Sequence, residues 1–228
     1  MTTIAMLKEA PAADSTREAG YNHHGQKIGS KGERTRRLLI ETTVEMLETH
    51  GLREVSVMDV ARAAKTSPAT FYVYFRGVPE VVLAALEDAS QTSPEIEAMF
   101  EGDWLGPGGT ARAREFVEAY TELWNRNGTI FRVRNLAAEE GDKRFFDARA
   151  QASATMLRLL SEQVARGQAA GRTPANLNPK SCAGTILMML ERLAATGPLH
   201  LHEDANVSYP RLKDAAAYTI AYMLGARD

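Results

Sequence analysis

The chain has 228 residues, 44% of them hydrophobic and 25% charged, which is enough for one or two compact units with a sizeable core. Its formal net charge of −2 excludes a generic polyanion binder, and its one cysteine, Cys182, excludes an intramolecular disulfide and suits a reducing compartment. No apolar run reaches the roughly 18 residues a membrane span needs, and Lys8, Glu9, Pro11, Asp14 and Arg17 interrupt any leader-like core, so a cytoplasmic protein is expected.

Residues 1–29 are rich in Ala, Gly, Ser, Thr and charge without a sustained period and read as a disordered arm. Between Gly20 and Ile40, Lys27, Lys31, Arg34, Arg36 and Arg37 face only Glu33, which makes this end basic. Ser30-Lys-Gly-Glu33 reads as a capping box that opens a first helix at about Lys31. Its apolar positions are Leu39, Ile40, Val44, Met46 and Leu47, and it runs to His50 before stopping at Gly51. A second capping box, Ser56-Val-Met-Asp59, opens a short helix to Ala64 with Val57, Val60, Ala61 and Ala64 as its stripe. Lys65-Thr66-Ser67 is a tight turn. Ser67 then caps a third helix, Pro68 occupies its first position, and Phe71 and Phe75 share the inward face. Thr70, Tyr72, Val73 and Tyr74 are left over the remaining surface. So short a helix needs tertiary support, and its hydroxyl and aromatic surface points to a partner. Two short helices joined by a three-residue turn fit a helix-turn-helix, whose second helix enters the major groove.

The segment Ser56-Val-Met-Asp-Val-Ala-Arg-Ala-Ala-Lys-Thr-Ser-Pro-Ala-Thr-Phe-Tyr-Val-Tyr-Phe75, with the helix before it, resembles the N-terminal domain of TetR-type transcriptional regulators over roughly residues 34–88. Beyond residue 90 the resemblance is to architecture only. It implies that Thr70, Tyr72 and Tyr74 match common DNA-contact positions, and that Phe71 and Phe75 match core positions. One departure is Val78, followed by Pro79, where the family usually places a phosphate-facing lysine. That contact is expected to be lost or moved to Arg76.

A fourth helix runs from Val78 to about Thr92 on Val81, Val82, Ala85 and Leu86. Ser93-Pro94 kinks it or caps a new helix to Phe100, and Gly106-Pro-Gly-Gly109 is a loop. Helices follow over about 110–127, ended by Gly128, then 129–140 and 143–171. After the break at Thr173-Pro174, Asn178-Pro179 opens a helix to about Ala195. Residues 197–208 form a loop, and the last helix spans about Tyr209 to Leu224. No segment alternates like a strand, so the expected fold is all-α. It consists of a three-helix helix-turn-helix DNA-binding domain at 30–77 and a helical ligand-binding and dimerisation bundle at 78–228.

The candidate DNA-binding residues are Lys31, Arg34, Lys65, Thr66, Ser67, Ala69, Thr70, Tyr72, Val73, Tyr74 and Arg76. Hydroxyls of Thr70, Tyr72 and Tyr74 suit phosphate oxygens, which fix register but carry little sequence information. Ala69 and Val73 suit a thymine methyl, with help from Lys31 or Arg34. In the second half, Phe100, Trp104, Phe116, Tyr120, Trp124, Phe131, Met156 and Met189 are candidate walls of a ligand pocket, with Glu191, Tyr120 and Asn127 as polar anchors. For any single one of these a plain core residue is the better reading, and the pocket is read from the group. The resemblance implies a small-molecule inducer there, apolar or aromatic given so few polar anchors. It also implies a homodimer through the last two helices, where Cys182, Ala183, Gly184, Ala194, Ala215, Ala216, Ala217 and Ala221 are small. Two half-sites about 34 Å apart on a pseudo-palindromic double-stranded DNA operator would multiply the specificity of one short helix.

His23-His24 and His200-x-His202-x-Asp204 lack metal-ligand spacing, and no cofactor is expected. No nucleophile–base motif or phosphate-cradling glycine loop is present in the sequence. The resulting expectation is a ligand-responsive transcriptional regulator, a repressor released by an apolar small molecule. An all-α carrier or enzyme using the aromatic pocket is the alternative.

Overall fold

The computed structural model of the chain describes residues 28–90, 94–196 and 207–226. Most of the expected disordered arm, Lys27, both histidine pairs and Asp204 lie outside the described residues, as do Thr92, Ser93 and most of the loop at 197–208. All regular structure among the described residues is helical: α1 Ser30–Met46, α2 Val57–Ala63, α3 Pro68–Tyr74, α4 Val78–Ser90, α5 Pro94–Ala98, α6 Gly109–Glu139, α7 Lys143–Ala169, α8 Pro179–Thr196 and α9 Tyr209–Leu224. A single 3₁₀ turn, Met99–Glu101, follows α5.

Local signals place α2 and α3. Ser56 accepts a hydrogen bond from the Asp59 amide at 3.2 Å, and Ser67 accepts one from the Thr70 amide at 3.0 Å. These caps satisfy amides that a seven-residue helix cannot pair internally. Ser30, in contrast, is not a cap. Gly29 holds that position without a side-chain bond, and Ser30 is the first helical residue. At its other end α1 loosens into turns after Met46, before the expected stop at Gly51.

The expected break at Gly128 does not occur. α6 continues through it for 31 residues. A mid-helix glycine costs about 1 kcal/mol, whereas Trp124, Ile130, Phe131 and Val133 on either side of it are buried. Burial at roughly 1.5–3 kcal/mol per large side chain outweighs the glycine.

α4 joins the two halves. It packs against α1 on one side and against α6 and α7 on the other. Its Val78, Val81, Val82 and Leu86 are buried, and they belong to one continuous core with Leu39, Val60 and Phe71 below and Phe116, Leu160, Ile186, Leu190 and Ile220 above. A shift of α4 therefore reaches both halves. Where α7 crosses α9, a Cβ on Gly167 would lie 2.6 Å from the Leu224 carbonyl oxygen, so only glycine permits that approach.

No single helix among the described residues is long and apolar enough to cross a membrane. The bent pair α3–α4 passes on composition alone, but its Phe71, Phe75, Val81 and Val82 are core residues.

Candidate nucleic-acid interface and interior charge cluster

Phe71 and Phe75 anchor α3. Both are buried, with ring centroids 5.9 Å apart. The Arg36 guanidinium lies 5.4 Å from the Phe75 ring centroid, so Arg36 covers the core at this point. With the two phenylalanines inward, Pro68, Ala69, Tyr72 and Val73 face outward, and Tyr72 is 50% exposed.

The three hydroxyl residues differ. The Thr70 and Ser67 hydroxyl oxygens are 2.9 Å apart, and Thr70 is partly buried. Tyr74 is also partly buried, and its hydroxyl lies 3.3 Å from where a Cβ on Gly32 would stand. Tyr74 thus ties the end of α3 to the start of α1, while the Tyr72 ring stands out in solvent.

Around this surface, Lys31, Arg34, Lys65 and Arg76 are all exposed, and Thr66 is partly buried in the turn. Lys65 has φ 53°, the one non-glycine in the left-handed region among the described residues. The Thr66 amide reaches back to the Ala61 carbonyl at 2.8 Å, and the Lys65 amide to Arg62 at 3.1 Å. This pair of bonds is a Schellman motif ending α2, with Lys65 at the position that glycine usually takes. On the far side of α3, the Glu80 carboxylate accepts a 2.6 Å bond from the Arg76 amide and fixes the turn into α4. Val78 is buried, so this position carries no charge toward the interface.

The aromatic residues of the second half divide into two groups. Phe100, Trp104 and Phe116 pack on one another with centroids 5.1 to 6.0 Å apart, deep in the core. Tyr120 touches this group through Phe116, but its hydroxyl faces the second. There the Trp124 indole N–H approaches the Tyr120 hydroxyl at 3.4 Å, and Trp124 packs edge-on to Phe131 at 5.2 Å. Met156 and Met189 are partly buried against the core. Asn127 bonds its own helix at Leu123.

The second group surrounds charge. Arg134 Nη2 donates to Glu191 Oε1 at 3.2 Å, and Arg149 Nη2 to Glu191 Oε2 at 2.6 Å. The Arg134 guanidinium also stacks on Phe131 at 4.9 Å. Side-chain exposure is 5% for Arg134, 12% for Glu191 and 34% for Arg149. Burial pulls the Arg134 guanidinium below its ordinary range, and Glu191 opposes that. Burial pushes the Tyr120 phenol well up, and the nearby Glu191 carboxylate adds to it, so Tyr120 is neutral. Sequence reasoning named Glu191 but missed both arginines. The available signal was a cation inside an apolar stripe: Ile130, Phe131, Val133 and Ala137 around Arg134, and Phe145, Met156 and Leu160 along the face of Arg149. A cleft of about 190 Å³ between α6, the end of α8 and Glu48 meets this group only at Trp124; its other lining residues include Arg126, Thr129, Arg132 and Ala194.

On the last two helices, Cys182, Ala183, Ala194, Ala216, Ala217 and Ala221 are buried within the chain. The outer surface instead carries Met188, Tyr218 and Tyr222, each more than 60% exposed. Small residues bring α8 and α9 close to their neighbours, and large apolar ones stand outward.

Two family models match the chain. One describes bacterial regulatory proteins of the tetR family and covers residues 39–85; the other describes the tetracyclin repressor-like C-terminal domain and covers 96–223. No curated protein matches the chain. Among solved structures, the fatty acid degradation regulator FadR from Bacillus halodurans is 16% identical, with a TM-score of 0.63 over 86% of this chain and 97% of that one. The regulatory protein TetR from Rhodobacter sphaeroides is 24% identical, with a TM-score of 0.58 over 82% and 97%. The MbdR regulator from Azoarcus sp. CIB is 16% identical, with a TM-score of 0.62 over 82% and 96%. At these identities the likeness is one of fold.

Proposed function

The chain belongs to the TetR family of transcriptional regulators, and on that premise we propose that it is a cytoplasmic, homodimeric repressor released from its operator by a small molecule with an apolar body. The observation that carries this reading is the outward face of α3. It holds Ala69, Tyr72 and Val73 in solvent, ringed by the exposed Lys31, Arg34, Lys65 and Arg76. A protein of net charge −2 concentrates cations where a phosphate backbone would lie.

In this reading Lys65, Arg76, Thr66, Ser67, Thr70, Tyr72 and Tyr74 fix the register of α3 against phosphates. Ala69 and Val73, with Lys31 or Arg34, read base edges. The missing cation at Val78 is replaced by Arg76. Residues 30–77 form the DNA-binding unit, residues 78–228 form the effector and dimer unit, and the last two helices of two copies pair through their exposed apolar faces. A pseudo-palindromic operator follows from that symmetry. An effector held by residues drawn from Phe100, Trp104, Phe116, Tyr120, Trp124, Phe131, Met156, Met189 and Glu191 would move α4, the helix shared by both halves. Coupling is reciprocal: DNA weakens the effector by the factor by which the effector weakens DNA.

Fluorescence anisotropy with duplexes tiled across the DNA upstream of the chain's own gene tests this. One duplex is expected to bind salt-sensitively and far more tightly than scrambled DNA. Equal affinity for all sequences, or none, contradicts the proposal.

A further inference from the structure

α3 is short of the side chains that read bases. From Pro68 to Tyr74 it carries no Arg, Lys, Asn or Gln, the residues whose paired hydrogen bonds tell one base from another in the major groove. Its outward face is Pro68, Ala69, Tyr72 and Val73, which offers methyl contacts and one phenol. Further polar side chains have to reach the operator from elsewhere on the same surface. The start of α1 adjoins that surface: the Tyr74 hydroxyl, at the end of α3, lies 3.3 Å from where a Cβ on Gly32 would stand.

The chain entering α1 is held at the same glycine. A Cβ on Gly32 would overlap the Ile28 Cγ2 methyl, so Ile28 packs down onto α1 because residue 32 has no side chain. Gly29 then enters the helix from an extended conformation, φ −80° and ψ 171°, and its carbonyl accepts the Glu33 amide at 3.0 Å. The chain before Ile28 therefore departs beside Tyr74, at the edge of the α3 surface and close to the exposed Lys31 and Arg34. The next residues outward, Tyr21-Asn-His-His-Gly-Gln-Lys27, lie outside the described residues, and no acidic residue occurs between Glu18 and Glu33. At about 3.3 Å per extended residue this stretch reaches about 23 Å, or about seven base pairs at 3.4 Å each.

We propose that residues 21–27 are a second DNA-reading element, which follows the minor groove beside each α3 half-site with Asn22, Gln26 and Lys27 donating to the base acceptors on its floor. This rests on the DNA-binding reading above and extends the interface ahead of residue 30. A minor groove about 6 Å wide admits an extended chain but not a helix. There A·T and T·A pairs present the same acceptors, N3 of adenine and O2 of thymine, whereas a G·C pair adds the guanine 2-amino donor. That amino group meets the Lys27 ammonium donor to donor. The arm thus selects A·T pairs in either orientation, a discrimination that contacts from α3 in the major groove do not make.

The test is fluorescence anisotropy of the full chain on the upstream duplex that it selects, with the A·T pairs within about seven base pairs of a half-site replaced one at a time. At one or more of these pairs, wild-type protein is expected to bind the T·A duplex within twofold of the original and the G·C duplex fivefold or more weakly. An inosine·C pair, which lacks the 2-amino group, should restore the original affinity. In the variant Asn22→Ala/Gln26→Ala/Lys27→Ala the G·C penalty should fall below twofold, and the salt slope should drop by about one. Circular dichroism melting of this variant is expected to match wild type, so the loss reports on DNA contact and not on folding. Wild-type protein that selects one duplex yet shows no such pair, or a G·C penalty undiminished in the triple variant, overturns the arm and leaves the α3 reading standing. Wild-type protein that selects no duplex defeats both.

Discussion

Tyr72 and Tyr74 stand two residues apart on one short helix yet do different work. Tyr72 is half exposed, whereas the Tyr74 hydroxyl rests over Gly32. Tyr72→Phe should therefore weaken operator binding by about 1.5–3 kcal/mol, the value of a hydrogen bond to a charged phosphate, with no change in melting temperature. Tyr74→Phe should move stability as well, because Tyr74 joins α3 to α1. Anisotropy and thermal melts on the two variants separate these outcomes, and equal effects on DNA with none on stability would contradict the assignment. Lys65 poses the opposite trade. In the left-handed region a side chain costs about 1–2 kcal/mol relative to its ordinary conformation, and glycine carries no such strain. Less the roughly 0.5–1 kcal/mol that glycine's conformational freedom costs, about 1 kcal/mol remains, so Lys65→Gly should raise the melting temperature by about 2–4 °C for a protein of this size. It should also lower the salt dependence of DNA binding by about one counterion.

At the scale of elements, what was legible in the sequence was local. The caps at Ser56 and Ser67 and the inward pair Phe71 and Phe75 act over three or four residues, and the expected α2 and α3 are present to within a residue. What was not legible depends on distant partners. The glycine stop at 128 fails because packing overrides propensity. The two ion pairs of the interior cluster join residues 57 and 42 positions apart, so no window along the chain contains them. The start of α7 offers a test of a local signal. Asp142 accepts bonds from the Arg144 amide at 3.0 Å and from its guanidinium, with Nη2 at 2.6 Å. The Arg144 side-chain bond holds the Asp142 carboxyl below its ordinary range. A depressed carboxyl stabilises the fold above its unfolded value and loses that stabilisation as pH falls through the folded one. Asp142→Ala should thus cost about 1 kcal/mol at pH 7. The deficit should shrink toward zero as the pH drops below about 4, the ordinary value of an aspartate. Thermal melts across pH check this; a deficit independent of pH would show that Asp142 acts through packing alone.

At the scale of the molecule, the proposed reading needs two copies, because one short helix alone cannot specify an operator, and it assigns their pairing to the surface of α8 and α9. Met188, Tyr218 and Tyr222 form an exposed apolar face that a second copy would cover. Met188→Glu with Tyr222→Glu should leave helicity intact and convert the dimer to a monomer in light scattering. The monomer should bind a palindromic duplex at least a hundredfold more weakly than wild type. A dimer that survives both changes would place the interface elsewhere. α4 shares the core of each half, and on the proposed reading an effector acts on DNA binding through it. The most direct measurement of the whole account is therefore anisotropy of wild-type protein on its upstream duplex, titrated with the tightest-binding effector. The account predicts salt-sensitive, sequence-selective binding that the effector reverses, with effector affinity falling by the same factor when DNA is bound. Binding that ignores sequence, or an effector that binds yet leaves DNA affinity unchanged, would contradict it.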